Sequence, residues 1–122
     1  MDKIAVSSEG PDLDARVDPR FGRAAGFVVV DPQTMVFDYV DNGASQVMAQ
    51  GAGIQAAEIV AGTGARVVLT GFVGPKAFQA LSSAGIAIGQ NLDNLTVREA
   101  VQRFQQGDVA MAETPNSRGH RA

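Results

Sequence analysis

The chain of 122 residues predicts an α/β domain with an antiparallel front part followed by alternating helices and strands, five strands in all. Three observations predict it. Phe27 to Val30 and Met35 to Val40 are strand-like runs joined by Asp31-Pro32-Gln33-Thr34, whose chemistry suits a turn, so they read as an antiparallel hairpin. Ala65-Arg66-Val67-Val68-Leu69-Thr70 is a nearly continuous apolar run of the kind buried on both faces of a parallel sheet. From Gly53 onward helical patterns alternate with strands, which requires crossovers and a sheet covered by helices.

Lys3-Ile4-Ala5-Val6-Ser7-Ser8 reads as the first strand, and Glu9 to Ala25 as a long loop rich in Asp, Gly, Pro and Arg. The two hairpin strands follow, and their apolar residues are expected in the core. Asp41-Asn42-Gly43 is a turn signal at the head of a second loop that runs to Gly53. Ile54 to Val60 has helical spacing, with Gly62 or Gly64 available to end it. After the Ala65–Thr70 strand comes a third loop, Phe72–Lys76, in which Pro75 suits the first turn of a helix containing Ala77, Phe78 and Leu81. Gly85 ends that helix, and Ile86-Ala87-Ile88 is the last strand. Thr96-Val97-Arg98-Glu99 is a capping box opening a final helix with an apolar stripe of Val97, Ala100, Val101 and Phe104, closed by Gly107. Residues 1–107 therefore form one domain, and Asp108 to Ala122 is expected to be a flexible polar tail.

Composition excludes several functions. With no cysteine and one histidine, His120 near the end, there is no disulfide, thiolate-bound zinc, Cys-ligated iron–sulfur cluster or cysteine nucleophile, and a histidine-based metal site is not expected. A metal held here would be bound by oxygen ligands or would arrive in a preassembled complex, with no direct side-chain ligand expected. The net charge of −3 argues against a general nucleic-acid or acidic-membrane binder. No apolar run approaches the roughly 18 residues of a membrane span. Met1-Asp2-Lys3 leads straight into a strand, so no secretory leader and a cytoplasmic location are expected. A nuclease needs carboxylates around divalent metals, one usually on the first strand, and Ile4 to Ser8 has none.

The three loops stand out. Arg16, Arg20 and Arg23 cluster in the first, around Pro19 and Gly22, and a glycine-bearing loop with guanidinium groups suits a compact anion. The alternative is that Arg20 and Arg23 pair with Asp14, Asp18 or Asp31 and only brace the loop. Gly51 and Gly53 precede a helix, where bare N–H groups and the helix dipole favour an anion, although no Gly-Lys-Ser/Thr follows as in a P-loop. Lys76 falls in the first turn of the next helix, where a cation is disfavoured unless an anion shares the site; the plainer reading is an exposed lysine. Met48 is a soft side chain that could touch a ligand, or simple loop packing. If the first and fourth strands are parallel neighbours, the first and third loops leave the same edge of the sheet, the usual ligand crevice of such sheets.

Four motifs in order, Asp18-Pro19-Arg20-Phe21-Gly22-Arg23-Ala24, Gly51-Ala52-Gly53-Ile54-Gln55-Ala56-Ala57, Leu69-Thr70-Gly71-Phe72-Val73-Gly74-Pro75-Lys76-Ala77-Phe78 and Thr96-Val97-Arg98-Glu99-Ala100, resemble the dinitrogenase iron–molybdenum cofactor biosynthesis family over about residues 3 to 107. The resemblance implies a ribonuclease H-like α/β fold with a five-stranded mixed sheet. It implies a non-catalytic protein that binds a metal–sulfur cofactor non-covalently, either a mixed molybdenum–copper sulfide cluster of net negative charge or the iron–molybdenum cofactor and its precursors. It also implies partnership with P-loop ATPases of the partitioning and cell-division type. Carried onto this sequence, the cofactor-binding residues are Arg20, Phe21, Gly22 and Arg23, then Gln50, Gly51, Ala52 and Gly53, then Gly74 and Lys76. Some relatives place a histidine or cysteine near these loops; Gln50 precedes Gly51 here, which leaves N–H donors and cations as the contacts. A regulatory module binding a phosphate-bearing metabolite at the same loops is the competing expectation.

Overall fold

The computed structural model describes residues 2–116. Its elements in order are β1 (Ile4–Ser8), β2 (Gly26–Val30), β3 (Phe37–Asp41), α1 (Gly43–Gln46), α2 (Ala52–Gly62), β4 (Val67–Leu69), α3 (Pro75–Ser83), β5 (Ala87–Gly89) and α4 (Val97–Gln105). They build one five-stranded sheet in the order β3-β2-β1-β4-β5. The first three strands are mutually antiparallel, whereas β1–β4 and β4–β5 are parallel. This is the mixed sheet that the alternating pattern predicts. Among the described residues no helix is long and apolar enough to cross a membrane.

The period-2 alternation of strand side chains divides the core into two layers. Ala5, Phe27, Val29, Val68 and Ile88 face α2 and α3, where they meet Ala56, Val60, Ala77 and Leu81. Ile4, Val6, Val28, Val30 and Leu69 face the other way, against Val97, Ala100 and Val101 of α4. Every residue of β1 and β2 is buried, as expected of strands covered on both faces.

Several boundaries differ from the sequence expectations, each for a local reason. The third strand starts at Phe37, not Met35, because Met35 takes a positive φ of 61° and donates its N–H to Asp31 O, closing the hairpin turn. β3 is the sheet edge and stays largely exposed, including Phe37 and Tyr39, so these are not the core residues expected. The Tyr39 ring lies over Gly26 of the neighbouring strand, which leaves no space for a side chain there. Asn42 opens a short helix that no propensity signals, and α2 begins two residues early, taking Ala52 and Gly53 into its first turn.

The first nine residues of the expected tail are also not free. Val109 packs against the α4-side core, Met111 forms an antiparallel bridge with Gly89, and the Ala112 N–H donates to Ile88 O. This strap covers the open edge of β5, which removes an unpaired strand edge. Residues 117–122 of that tail, His120 among them, lie outside the described residues.

The capping box of α4 forms as predicted. Glu99 N–H donates to Thr96 Oγ1, and Thr96 N–H donates to the Glu99 carboxylate. That bond from the Thr96 backbone is the main cause holding the Glu99 carboxyl below its ordinary 4.5. A lowered carboxyl contributes stability above its unfolded pKa and loses it as pH falls. Thr96→Ala should lower unfolding free energy by about 1 kcal/mol in urea denaturation. The stability difference between the wild type and Glu99→Ala should be present at pH 7 and should shrink as the pH is taken below 4.5.

Candidate functional site

β1 and β4 are parallel neighbours, with Val6 opposite Leu69, so the loops that follow them leave the same edge of the sheet. The loops then continue to pair. Phe21 N–H donates to Phe72 O at 3.1 Å and Phe72 N–H to Pro19 O at 2.7 Å, and Arg20 and Phe72 form a parallel bridge. Glycine is required at position 71, since a Cβ there would lie 2.6 Å from Pro19 O. Beneath this ladder the buried Ser7 Oγ donates to Asp18 O and accepts from the Thr70 hydroxyl. The carboxylate of Asp18, itself buried, accepts from Arg20 N–H and Ala25 N–H. Asp18 therefore shapes the first loop as an Asx turn and is not an ion-pair partner for either arginine.

The second loop is locked to the first by side chains. Asn42 Nδ2 donates to Gly22 O and Ala24 O. Arg23 Nη1 donates to the carbonyls of Gln46 and Met48 at 3.0 and 2.9 Å, and Gln46 Nε2 returns a bond to Arg23 O. Arg23 thus braces the loop, as the plainer reading had it, but through carbonyls rather than carboxylates, and its charge is not cancelled. The ion pair present among the described residues is Arg98–Asp14, remote from these loops. Arg16 is spent elsewhere too, on Asn94 O.

All three loops meet around a hollow of about 800 Å³. Every residue the sequence assigns to the site lines it: Arg20, Phe21, Gly22, Arg23, Gln50, Gly51, Ala52, Gly53, Gly74 and Lys76. Sequence reasoning left out Ala49, Phe72, Pro75 and Ala77, which complete the wall. Phe72 was legible as an aromatic between two glycines in a loop, and it is 41% exposed. Met48 is not in the wall; its methyl group sits beside Gly51, as packing.

The floor is bare backbone. A Cβ on Gly22 would lie 2.9 Å from Gly53 Cα, and one on Gly53 would lie 2.9 Å from Ala77 Cβ. Only this run of small residues lets the first loop, α2 and α3 touch. Gly51 reaches the cap of α2 with φ of 80°, a left-handed angle that suits glycine.

The electrostatics are one-sided. Three cations, Arg20, Arg23 and Lys76, and no carboxylate line the hollow of a protein whose net charge is −3. The N-termini of α2 and α3 both face it, and each is capped by glycine with no side-chain bond and no acidic residue in its first turn. α4, outside the site, has the full capping box. The orphan N–H groups and positive dipole ends of α2 and α3 are therefore left for something in the hollow. The described residues contain no group of three or more His, Asp or Glu able to hold a metal ion. An occupant would be an anion whose metals, if any, bring their own ligands.

The same fold occurs in solved structures of similar sequence. Over 96% of this chain and 98% of the other, it is 66% identical to the apo form of the orange protein from Desulfovibrio gigas, with a TM-score of 0.94. A candidate NifB protein from Thermotoga, placed in the DUF35 family, is 28% identical over 96% of this chain and all of its own, with a TM-score of 0.80. No curated protein matches the sequence. Residues 2–107 match the model for the dinitrogenase iron-molybdenum cofactor family, and the chain belongs to that family.

Proposed function

We propose that this protein is a carrier that holds a preassembled, anionic metal–sulfide cluster non-covalently in the hollow. The observation that carries the reading is the convergence of two helix N-termini without side-chain caps and three cations on one cavity without a carboxylate. A cluster whose metals are already saturated by sulfide needs charge neutralisation, N–H donors and shelter from water. The chain supplies those and has no thiol to offer.

The walls of the hollow, rather than its volume of about 800 Å³, favour such a cluster over a phosphate-bearing metabolite. Phe21, Phe72, Pro75 and the alanines form much of the wall, and apolar surface disfavours a small, strongly hydrated anion while accepting a soft, diffuse one. Of the two groups that the family resemblance implies, the molybdenum–copper sulfide cluster is the first candidate, with the iron–molybdenum cofactor or its precursors as the alternative. The wall offers no carboxylate, imidazole or thiol for acid–base or nucleophilic chemistry, which supports a carrier rather than a catalyst. Delivery to or from partitioning-type P-loop ATPases, implied by the family resemblance, belongs to the same proposal. It is tested by pull-down of such an ATPase with and without the cluster.

Titrating the protein with tetrathiomolybdate and copper should produce intense visible absorption that saturates at a fixed stoichiometry. A featureless titration would overturn the reading. Arg20→Ala and Lys76→Ala should each weaken binding about tenfold, the low end for a charge-assisted contact because both side chains are exposed. A titration with inorganic phosphate as competitor should leave the absorption intact. Gly22→Ala removes no charge but must part the first loop from α2. It should lower stability by about 1–3 kcal/mol, read by thermal or urea unfolding, and weaken the cluster absorption at the same time.

A further inference from the structure

The segment Gly71–Gly74 carries Phe72 into the wall of the hollow and leads directly into the first turn of α3, where Lys76 sits. One side of it is held by the first loop through Pro19 and Phe21. Its other side faces Asn116, which belongs to the strap beyond the family-matched residues 2–107. Val73 N–H donates to Asn116 Oδ1 at 2.9 Å, and Asn116 Nδ2 donates to Gly71 O at 3.0 Å. The same Nδ2 donates to Asn91 Oδ1 at 2.9 Å, in the turn after β5.

In an extended chain, the C=O of one residue and the N–H of the residue two further on point to the same side. A parallel neighbouring strand satisfies that pair with the N–H and C=O of one residue. The Asn116 carboxamide, whose acceptor and donor lie side by side in a plane, stands in for that residue's backbone here. Ala cannot do this, and Asp keeps the acceptor while setting a carboxylate against the carbonyl oxygens of Gly71 and Asn91. Val73 is fully buried, so its N–H has little access to water as a substitute partner.

We infer that Asn116 is a positioning residue of the candidate site: it fixes Gly71–Gly74 from outside and through it the placement of Lys76, so that the strap 108–116 is part of the binding machinery. This rests on the carrier reading above. Asn116 is not among the residues that line the hollow, and it acts through the loop.

Full-length wild type, Asn116→Ala, Asn116→Asp, Lys76→Ala and the Asn116→Ala/Lys76→Ala pair are titrated with tetrathiomolybdate plus copper and followed by visible absorption. Without any titrant, amide hydrogen exchange of Val73 is measured by NMR on the same proteins, which also shows that each is folded. Exchange at Val73 should quicken in Asn116→Ala. Binding should weaken about 5- to 30-fold, the effect of one or two lost hydrogen bonds. Asn116→Asp should not restore binding. In the double variant the two losses should not multiply, because the lysine is misplaced once the asparagine is gone. Unchanged binding by Asn116→Ala, unaltered Val73 exchange, or losses that multiply independently would each overturn the inference. If the wild type binds and only the Asn116 effect is missing, the inference alone fails; if the wild type develops no absorption, the carrier reading fails and takes the inference with it.

Discussion

The site depends on one steric condition: Gly22, Gly53 and Ala77 come so close that two of the three positions admit no side chain. Three separate stretches of chain reach a common floor only because of that contact. The parallel pairing of β1 with β4 brings the first and third loops to one edge, and the packing of α2 beside α3 brings the second. Neither would make a hollow if the backbones stayed a side chain apart. A Cβ at Gly53 would push α3 from α2, and the two helix N-termini would then point at different places.

The loops are anchored from behind, away from the space they enclose. Asp18 organises the first from inside, Asn42 and Gln46 tie it to the second, and Asn116 closes off the third. Such loops lose little conformational entropy when a ligand arrives, which leaves more of the interaction energy as affinity. The cations divide into two kinds. Arg23 is committed to carbonyls that keep its charge in place, whereas Arg20 and Lys76 are exposed and can reorient onto an anion. With no carboxylate in the wall, their field is not cancelled locally, even though the protein as a whole is acidic.

Much of this was legible in the sequence. The α4 capping box, the helix opening at Pro75 and the alternating elements all carry short-range signals, and they fold where those signals say. Arg20, Gly22, Arg23, Gly51, Gly53 and Lys76 were legible as glycines and cations gathered in loops and helix starts, whereas Phe21, Gln50, Ala52 and Gly74 came only with the family resemblance. What could not be read depends on distant partners. Met35 resembles a strand residue, and only the bond to Asp31 O shows it turning the hairpin. Asn42 resembles a turn residue, yet its amide reaches back to Gly22 and Ala24. Asn116 sits in a stretch whose composition reads as a loose tail, and two of its three partners lie more than forty positions earlier. Side-chain amides leave no periodicity, so their long-range bonds have no signature in a single sequence.

Two helices without side-chain caps in a small domain also link binding to stability. Any ligand that binds the folded state alone stabilises it in proportion to the logarithm of its concentration over its dissociation constant. An anion in this hollow would serve as the cap that Gly51 and Gly74 cannot provide, and would ease the mutual repulsion of Arg20, Arg23 and Lys76. The core on both faces of the sheet and the bonds that tie the loops are made within the chain itself. A protein built this way can take up its ligand without folding around it and surrender it without unfolding. Thiolate ligands would have bonded the metal directly and made release depend on breaking those bonds. A grip made of main-chain N–H groups and two exposed cations would be reversible, as the proposed carrier role requires.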